Sequence, residues 1–248
     1  MPQTVLFHLS DPHFGIENRA ALAWFAGAVA SERPAGIICT GDITQRAKHR
    51  EYDAARAWFA GLGVPLALEP GNHDMPYYDL VERFRRPFAR YEALADEVAS
   101  MPDLPNVVLV SLRTTVPAQW RWPWSDGVIR EEALADTLAA LGRLEGDRRL
   151  KFVTCHHPLK GRELGGRNPT IGGEAALAAL AASGADVVLS GHIHKPFDIT
   201  HEIAGRKVRM IGAGTMSQRL RGAGPSYNVL KIAADGGLEI ETRRFAED

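Results

Sequence analysis

Residues 5–42 read VLFHLSDPHFGIENRAALAWFAGAVASERPAGIICTGD, and they contain two apolar runs, Val5 to Leu9 and Gly36 to Cys39, each leading into an aspartate, Asp11 and Asp42. Between the runs, Arg19 to Ser31 places Ala, Leu, Trp and Phe at helical spacing behind an Asn18 suited to cap a helix. Strand, loop, helix, strand is the reading. The pattern recurs downstream. Glu51 to Leu62 precedes Val64 to Leu68, Val107 to Leu112 is a further apolar run, Glu131 to Leu144 precedes Leu150 to Thr154, and Glu174 to Ala182 precedes Asp186 to Leu189. Strands alternating with helices predict an α/β sheet. After Ser190 come Phe197 to Ile203, Val208 to Ile211, Tyr227 to Ile232 and Leu238 to Thr242, punctuated by Gly-bearing turns, which predict antiparallel β-structure. No linker or fixed-period repeat divides the chain, so one domain over residues 1–248 is expected, with two packed sheets flanked by helices.

Composition excludes several classes. Of 248 residues, 45% are hydrophobic and 24% charged, a globular balance that excludes a disordered or collagen-like chain. Lys plus Arg number 29 against 30 Asp plus Glu, so no global field draws nucleic acid or an anionic membrane. Any anion selectivity must be local. No apolar run reaches membrane-spanning length, and Met1 to Leu9 lacks the basic start of a signal peptide. Cys39 and Cys155 sit inside strand-like runs and read as buried thiols. A cytoplasmic protein with no membrane span and no stable nucleic-acid partner is the expectation.

Six of the nine histidines fall in compact pieces that follow apolar runs: Asp11-Pro12-His13, Gly71-Asn72-His73-Asp74, His156-His157-Pro158 and Gly191-His192-Ile193-His194. In strand-like backbone, residues i and i+2 point the same way, so Asp11 with His13, and His192 with His194, would each grip one cation. With Asp42 the five segments offer carboxylate, imidazole and one carboxamide, all at strand ends, where ligands bind in an open α/β sheet. The set lacks thiolate and suits Mn, Fe, Zn or Ni. It exceeds what one four-coordinate ion needs, so two metals are indicated.

In this order, D-x-H, G-D, G-N-H-D, H and G-H-x-H, the motifs resemble the signature of the calcineurin-like metallophosphoesterases from Asp11 to His194. The resemblance implies an αββα sandwich of two mixed sheets with a dinuclear site at the strand C-terminal ends. It also implies that Asp11, His13, Asp42 and His194 hold one metal, and Asp42, Asn72, His156 and His192 the other. Divalent or mixed-valence ions, Mn, Fe or Zn, would be bridged by Asp42 and by a hydroxide that attacks phosphorus. His73 would face the substrate, protonating the leaving alkoxide or stabilising the phosphoryl charge. Asp74 would orient His73 or, as an alternative, cap the loop. Gly41-Asp42-Ile43-Thr44-Gln45-Arg46-Ala47 departs from the pattern of the phosphoprotein phosphatases, and the chain is most similar to the small bacterial class III cyclic nucleotide and glycerophosphodiester phosphodiesterases. The implied substrate is a small phosphodiester, with a nucleotide as one candidate. Phosphomonoesterase or nuclease activity is the alternative, and a non-catalytic metal-binding scaffold is the reading outside enzymes.

Weaker signals complete the reading. His157, next to His156, reads as a core or supporting group, His8 as facing away from the ligands, and His49 and His201 as surface residues. Trp120, Trp122 and Trp124 form either a lid that stacks on an apolar leaving group, a clasp on the sheet, or a contact of a homodimer. Lys160, Arg162 and Arg167 stand in a loop able to touch phosphate, and Arg219 and Arg221 in the glycine-rich return that would close the pocket.

Overall fold

The computed structural model describes residues 3–161 and 170–246; Arg162 and Arg167 lie outside them. A first sheet contains β1 (Thr4–Leu9), β2 (Gly36–Cys39), β3 (Leu66–Leu68), β11 (Ser226–Ile232) and β12 (Leu238–Arg244), in the order β12-β11-β1-β2-β3. A second contains β4 (Val107–Ser111), β6 (Leu150–Thr154), β8 (Val187–Ser190), β9 (Phe197–Ile203) and β10 (Arg206–Gly212), in the order β4-β6-β8-β10-β9. A short parallel ribbon, β5 (Gly127–Val128) with β7 (Thr170–Ile171), stands apart.

Both sheets are mixed. β1, β2 and β3 are parallel, as are β4, β6, β8 and β10, while the late strands join antiparallel. The β-rich tail does not form one unit: the β9-β10 hairpin extends the second sheet and β11-β12 closes the first. β2 and β8 are buried along their whole length, which explains why they read as unbroken apolar runs rather than as alternation.

Three apolar clusters define four layers. Leu6, Ile38, Phe152, Leu189, Ile211 and Leu230 interlock between the sheets. On the outer face of the first sheet, Phe7, Phe25, Phe59 and Tyr227 pack with helices α1 (Arg19–Glu32), α2 (His49–Leu62) and α4 (Ala89–Val98). On the outer face of the second, Val153, Leu177, Leu180 and Val188 pack with α5 (Glu131–Gly142) and α6 (Gly173–Ala182). The result is the expected αββα sandwich. Asn18 caps α1, its side chain accepting from the Ala21 N–H at 3.0 Å. The short helix α3 (Leu80–Arg85) and α4 carry no expectation from the sequence reading. α3 buries none of its own residues, and the buried positions of α4, Tyr91 and Leu94, are too few to set a stripe.

Candidate metal centre

β1, β2, β6 and β8 end side by side, and the residues just beyond them converge. Asp11, His13 and His194 offer ligand atoms within 4.8 Å of one another, as do Asp11, Asp42 and His156. His192 groups with His156 and His157, and His73 with His13 and Asp42. All but His73 are buried. The side-chain oxygen of Asn72 is buried as well.

Convergence does not come from strand alternation. β1 ends at Leu9 and β8 at Ser190, and the ligating positions lie beyond them in left-handed backbone: Asp11 (φ 53°), His13 (φ 45°), Asp42 (φ 50°), His192 (φ 67°) and His194 (φ 59°). Asp11 and His13 meet as expected, but through tight left-handed turns, a conformation costly for non-glycine residues and held here by tertiary bonds, whereas His192 and His194, expected to grip one cation, part into different clusters. The Asp11 and His13 N–H groups donate to the Gly41 and Asp42 carbonyls at 3.0 and 3.1 Å, and the His192 N–H donates to Asp11 Oδ2 at 2.9 Å. Gly41 (φ 97°) must be glycine, since a Cβ there would stand 2.6 Å from His156 Nδ1. A Cβ on Gly191 would stand 1.8 Å from Ser10 Oγ.

Main-chain carbonyls set the histidine tautomers. His156 Nδ1 lies 2.7 Å from the Thr40 carbonyl, His194 Nδ1 2.6 Å from that of Arg219, and His73 Nδ1 2.6 Å from that of Gln45. A carbonyl only accepts, so each Nδ1 carries the proton and each Nε2 is free to present a lone pair. His194 Nε2 then faces Asp11 Oδ1 at 3.0 Å and His13 Nε2 at 3.3 Å, and His156 Nε2 faces Asp42 Oδ2 at 3.4 Å. Asp11 Oδ1, Asn72 Oδ1, His156 Nε2 and His192 Nδ1 are buried without hydrogen-bond partners. Lone pairs aimed at one another inside a protein need a cation between them. The residues fit two metal ions of borderline character.

The electrostatics agree. Burial pushes the Asp11 and Asp42 carboxyls up, but the surrounding imidazoles outweigh it and hold both well below the usual range. Burial alone would lower His156; the charges of Asp42 and Asp11 instead raise it to about 9. The field that favours a second proton on His156 favours a metal cation equally, and metal binding would displace that proton.

Asp74 does not orient His73. Its carboxylate accepts from the Ile43, Thr44 and Gly71 N–H groups at 3.1, 2.7 and 2.8 Å and from the Thr44 hydroxyl at 2.9 Å. It clamps the loop bearing Asp42 to the loop bearing Asn72 and His73, and the Gln45 carbonyl orients the His73 ring instead. His157 is a supporting group: Nε2 donates to the Ser125 carbonyl at 2.8 Å and Nδ1 accepts from Thr114 Oγ1 at 2.9 Å. Burial lowers it to about 3, so it stays neutral. His8 lies in β1 between Thr40 Oγ1 and Asn228, outside the cluster. His49 is exposed, whereas His201, expected on the surface, is buried, with Nδ1 3.5 Å from Lys160 Nζ. Trp120, Trp122 and Trp124 are at least 73% exposed, which overturns the reading of a clasp on the sheet.

Comparison with known proteins agrees with this architecture. The Calcineurin-like phosphoesterase model matches residues 4–196. The chain is 28% identical to the 3',5'-cyclic adenosine monophosphate phosphodiesterase CpdA of Pseudomonas aeruginosa, over 97% of this chain and 89% of that protein. It is 35% identical to the glycerophosphodiester phosphodiesterase GpdQ of Enterobacter lignolyticus (strain SCF1), over 28% and 29% of the two chains. A dimetal phosphatase from Danio rerio superposes with a TM-score of 0.65 at 13% identity, over 98% of this chain and 99% of that one. The purple acid phosphatase PPD1 of yellow lupin does so with a TM-score of 0.70 at 13% identity, over 98% and 52%. Among the described residues no helix is long and apolar enough to cross a membrane. With the matched region running from β1 past His194, and so enclosing all the clustered donors, the chain belongs to the calcineurin-like phosphoesterase family, whose members are metal-dependent phosphoester hydrolases.

Proposed function

We propose that this chain is a dinuclear-metal phosphodiesterase acting on small phosphodiesters, cyclic nucleotides among them. The observation that carries the reading is the donor set: Asp11, Asp42 and His156 bring ligand atoms within 4.8 Å of one another, and Asp11, Asn72, His156 and His192 carry buried, unpartnered oxygen or nitrogen atoms. Asp11, His13, Asp42 and His194 would hold one ion, and Asp42, Asn72, His156 and His192 the other. Asp42, a member of both sets, would supply negative charge that offsets the mutual repulsion of two cations. Mn, Fe or Zn fits these donors. Bound there, the ions would supply Lewis acidity toward a phosphoryl oxygen and lower the pKa of water.

The protein's own residues do the rest. Asp74 fixes Asn72 and His73 relative to Asp42 through the loop bonds described above. His73, with Nδ1 committed to Gln45, turns Nε2 toward the centre, where it would meet the phosphoryl group or its leaving oxygen. To protonate a leaving alkoxide it must first take up a second proton at Nε2, and burial lowers its affinity for one. Stabilising phosphoryl charge needs the same proton, because the neutral ring presents only the Nε2 lone pair to an anion. Trp120, Trp122 and Trp124, exposed on the segment that supplies Ser125, would stack on an apolar part of the substrate as a lid. The phosphodiesterase similarities of CpdA and GpdQ support the diester over the monoester.

The test is a metal-by-substrate panel. Protein stripped of metal and reloaded with Mn, Fe, Zn, Co or Ni is assayed on bis(p-nitrophenyl) phosphate, p-nitrophenyl phosphate and cyclic AMP. Diester turnover that disappears on chelation is expected. Monoester turnover without diester turnover would replace the diesterase with a phosphomonoesterase. No turnover with two ions bound would leave a metal-binding scaffold.

A further inference from the structure

Several arginines elsewhere in the chain are tied to acids, Arg90 to Glu82, Arg121 to Asp126, Arg149 to Asp147, Arg209 to Asp198 and Arg243 to Glu241, while Arg83 is held by the carbonyls of Pro117 and Pro76 away from the centre. Two arginines at the metal centre are not tied to acids. Arg219 Nη1 donates to His73 Nε2 at 2.9 Å, and Arg221 Nη1 donates to the His192 carbonyl at 3.2 Å. Among the described residues neither has a carboxylate within 4 Å. Both partners are uncharged: the Arg219 bond requires a lone pair on Nε2, and Nδ1 of the same ring holds the only proton of the neutral form.

The guanidinium of Arg219 is therefore a full positive charge at the mouth, held by a weak partner, directly where His73 meets substrate. Its backbone is fixed independently, since the Arg219 carbonyl accepts from His194 Nδ1 and the Arg219 N–H donates to Ser217 Oγ at 3.2 Å. A guanidinium exchanges an imidazole for a phosphate or carboxylate readily, because its forked donors match two oxygens of an anion. A simple diester brings one negative charge, which the metals already meet. Two further unpaired cations beside them call for a second.

We propose that Arg219, assisted by Arg221, selects substrates that carry a second anionic group next to the scissile phosphodiester, such as a terminal phosphate, over singly charged diesters. The proposal rests on the phosphodiesterase reading of the same centre and names its substrate class. Arg219 is a specificity residue here. It leaves His73 Nε2 when the second anion enters.

The experiment separates the two ideas by measuring binding as well as turnover. Thymidine 5'-phosphate and thymidine 3',5'-bisphosphate are titrated by calorimetry into metal-loaded protein, wild type, Arg219→Ala and Arg219→Lys, with metal content measured on each. The bisphosphate is expected to bind wild type at least tenfold more tightly, Arg219→Ala to reduce that ratio to twofold or less, and Arg219→Lys to restore part of it. A main-chain carbonyl survives both substitutions, so metal content should not change. A wild type without preference, or Arg219→Ala with the preference intact, overturns the proposal. In parallel, the 5'-(p-nitrophenyl) phosphate ester of thymidine is compared with the same ester bearing a 3'-phosphate. A kcat/KM ratio that falls in Arg219→Ala supports both readings. Arg219-dependent binding without turnover of either ester upholds the charge selectivity and removes the phosphodiesterase.

Discussion

Glu69 directly follows β3 and bridges the two sheets, and its carboxyl gives the most direct test of how the interior is held together. Ser111 Oγ donates to Oε2 at 2.9 Å and Thr154 Oγ1 to Oε1 at 2.5 Å, one hydroxyl at the end of β4 and the other at the end of β6. The residue is only 6% exposed. Burial raises the carboxyl from its ordinary 4.5 to about 7, with the two hydroxyl bonds opposing. The sign follows from linkage: between 4.5 and about 7 the unfolded chain has released this proton and the folded one retains it, so stability falls as pH rises through that window. At about 1.36 kcal/mol per pH unit the full loss is ~3 kcal/mol above the folded-state value. Glu69→Gln has no proton to release and can still bond both hydroxyls. Its stability relative to wild type should therefore grow by ~2–3 kcal/mol between about pH 5 and 8. Urea denaturation of metal-free protein across that range gives the difference, in which all shared titrations cancel. A gap that stays flat would mean that Glu69 ionises freely in the folded state, and the account of a dry bridge between the sheets would be wrong.

Three further outcomes are expected. Asn72→Ala and His156→Ala should lower bound metal and activity together, whereas His73→Ala should keep two ions per chain and lose turnover, most with poor leaving groups; full turnover at full metal content would remove His73 from the reaction. Asp74→Ala strands three buried N–H groups and should cost at least ~3 kcal/mol in chemical denaturation, and an unchanged midpoint would refute its role as a clamp. Replacing Trp120, Trp122 and Trp124 with Ser should change stability by no more than ~0.5 kcal/mol, as for exposed side chains generally, while raising KM for substrates with an aromatic or nucleoside group; a large stability loss would restore the clasp.

The side chains that meet at the centre were legible in the sequence because ligand chemistry confines them to few residue types placed just after apolar runs. What orients them was not. Thr40, Gln45 and Arg219 hold His156, His73 and His194 through backbone carbonyls, which every residue possesses and no motif marks. Asp74 could be read either as a partner for His73 or as a loop cap, since both need the same carboxylate; three N–H donors at 3.1 Å or less decide for the loop. Likewise the texture of the tail announced antiparallel hairpins but not that they belong to different sheets. Strand order depends on long-range pairing, as where β11 meets β1 across more than two hundred residues, and local pattern carries no record of it.

The left-handed backbone at the centre shows why the fold tolerates so many polar groups at one point. Of eight non-glycine residues with positive φ among the described residues, five are Asp11, His13, Asp42, His192 and His194, so the strain is concentrated where the donors converge. Each such residue costs about 1–2 kcal/mol relative to ordinary backbone. In return the chain leaves each strand abruptly, turning the side chain back over the strand ends without a long loop that would need buried hydrogen-bond partners of its own. The bonds from Asp11 and His13 to the carbonyls of Gly41 and Asp42, and from His192 to Asp11 Oδ2, hold the turns through protein groups. Because the clustered donors close contacts between β1, β2 and β8, metal ions held there would also stabilise the packing of one sheet on the other, and chelation should loosen the sandwich from that end.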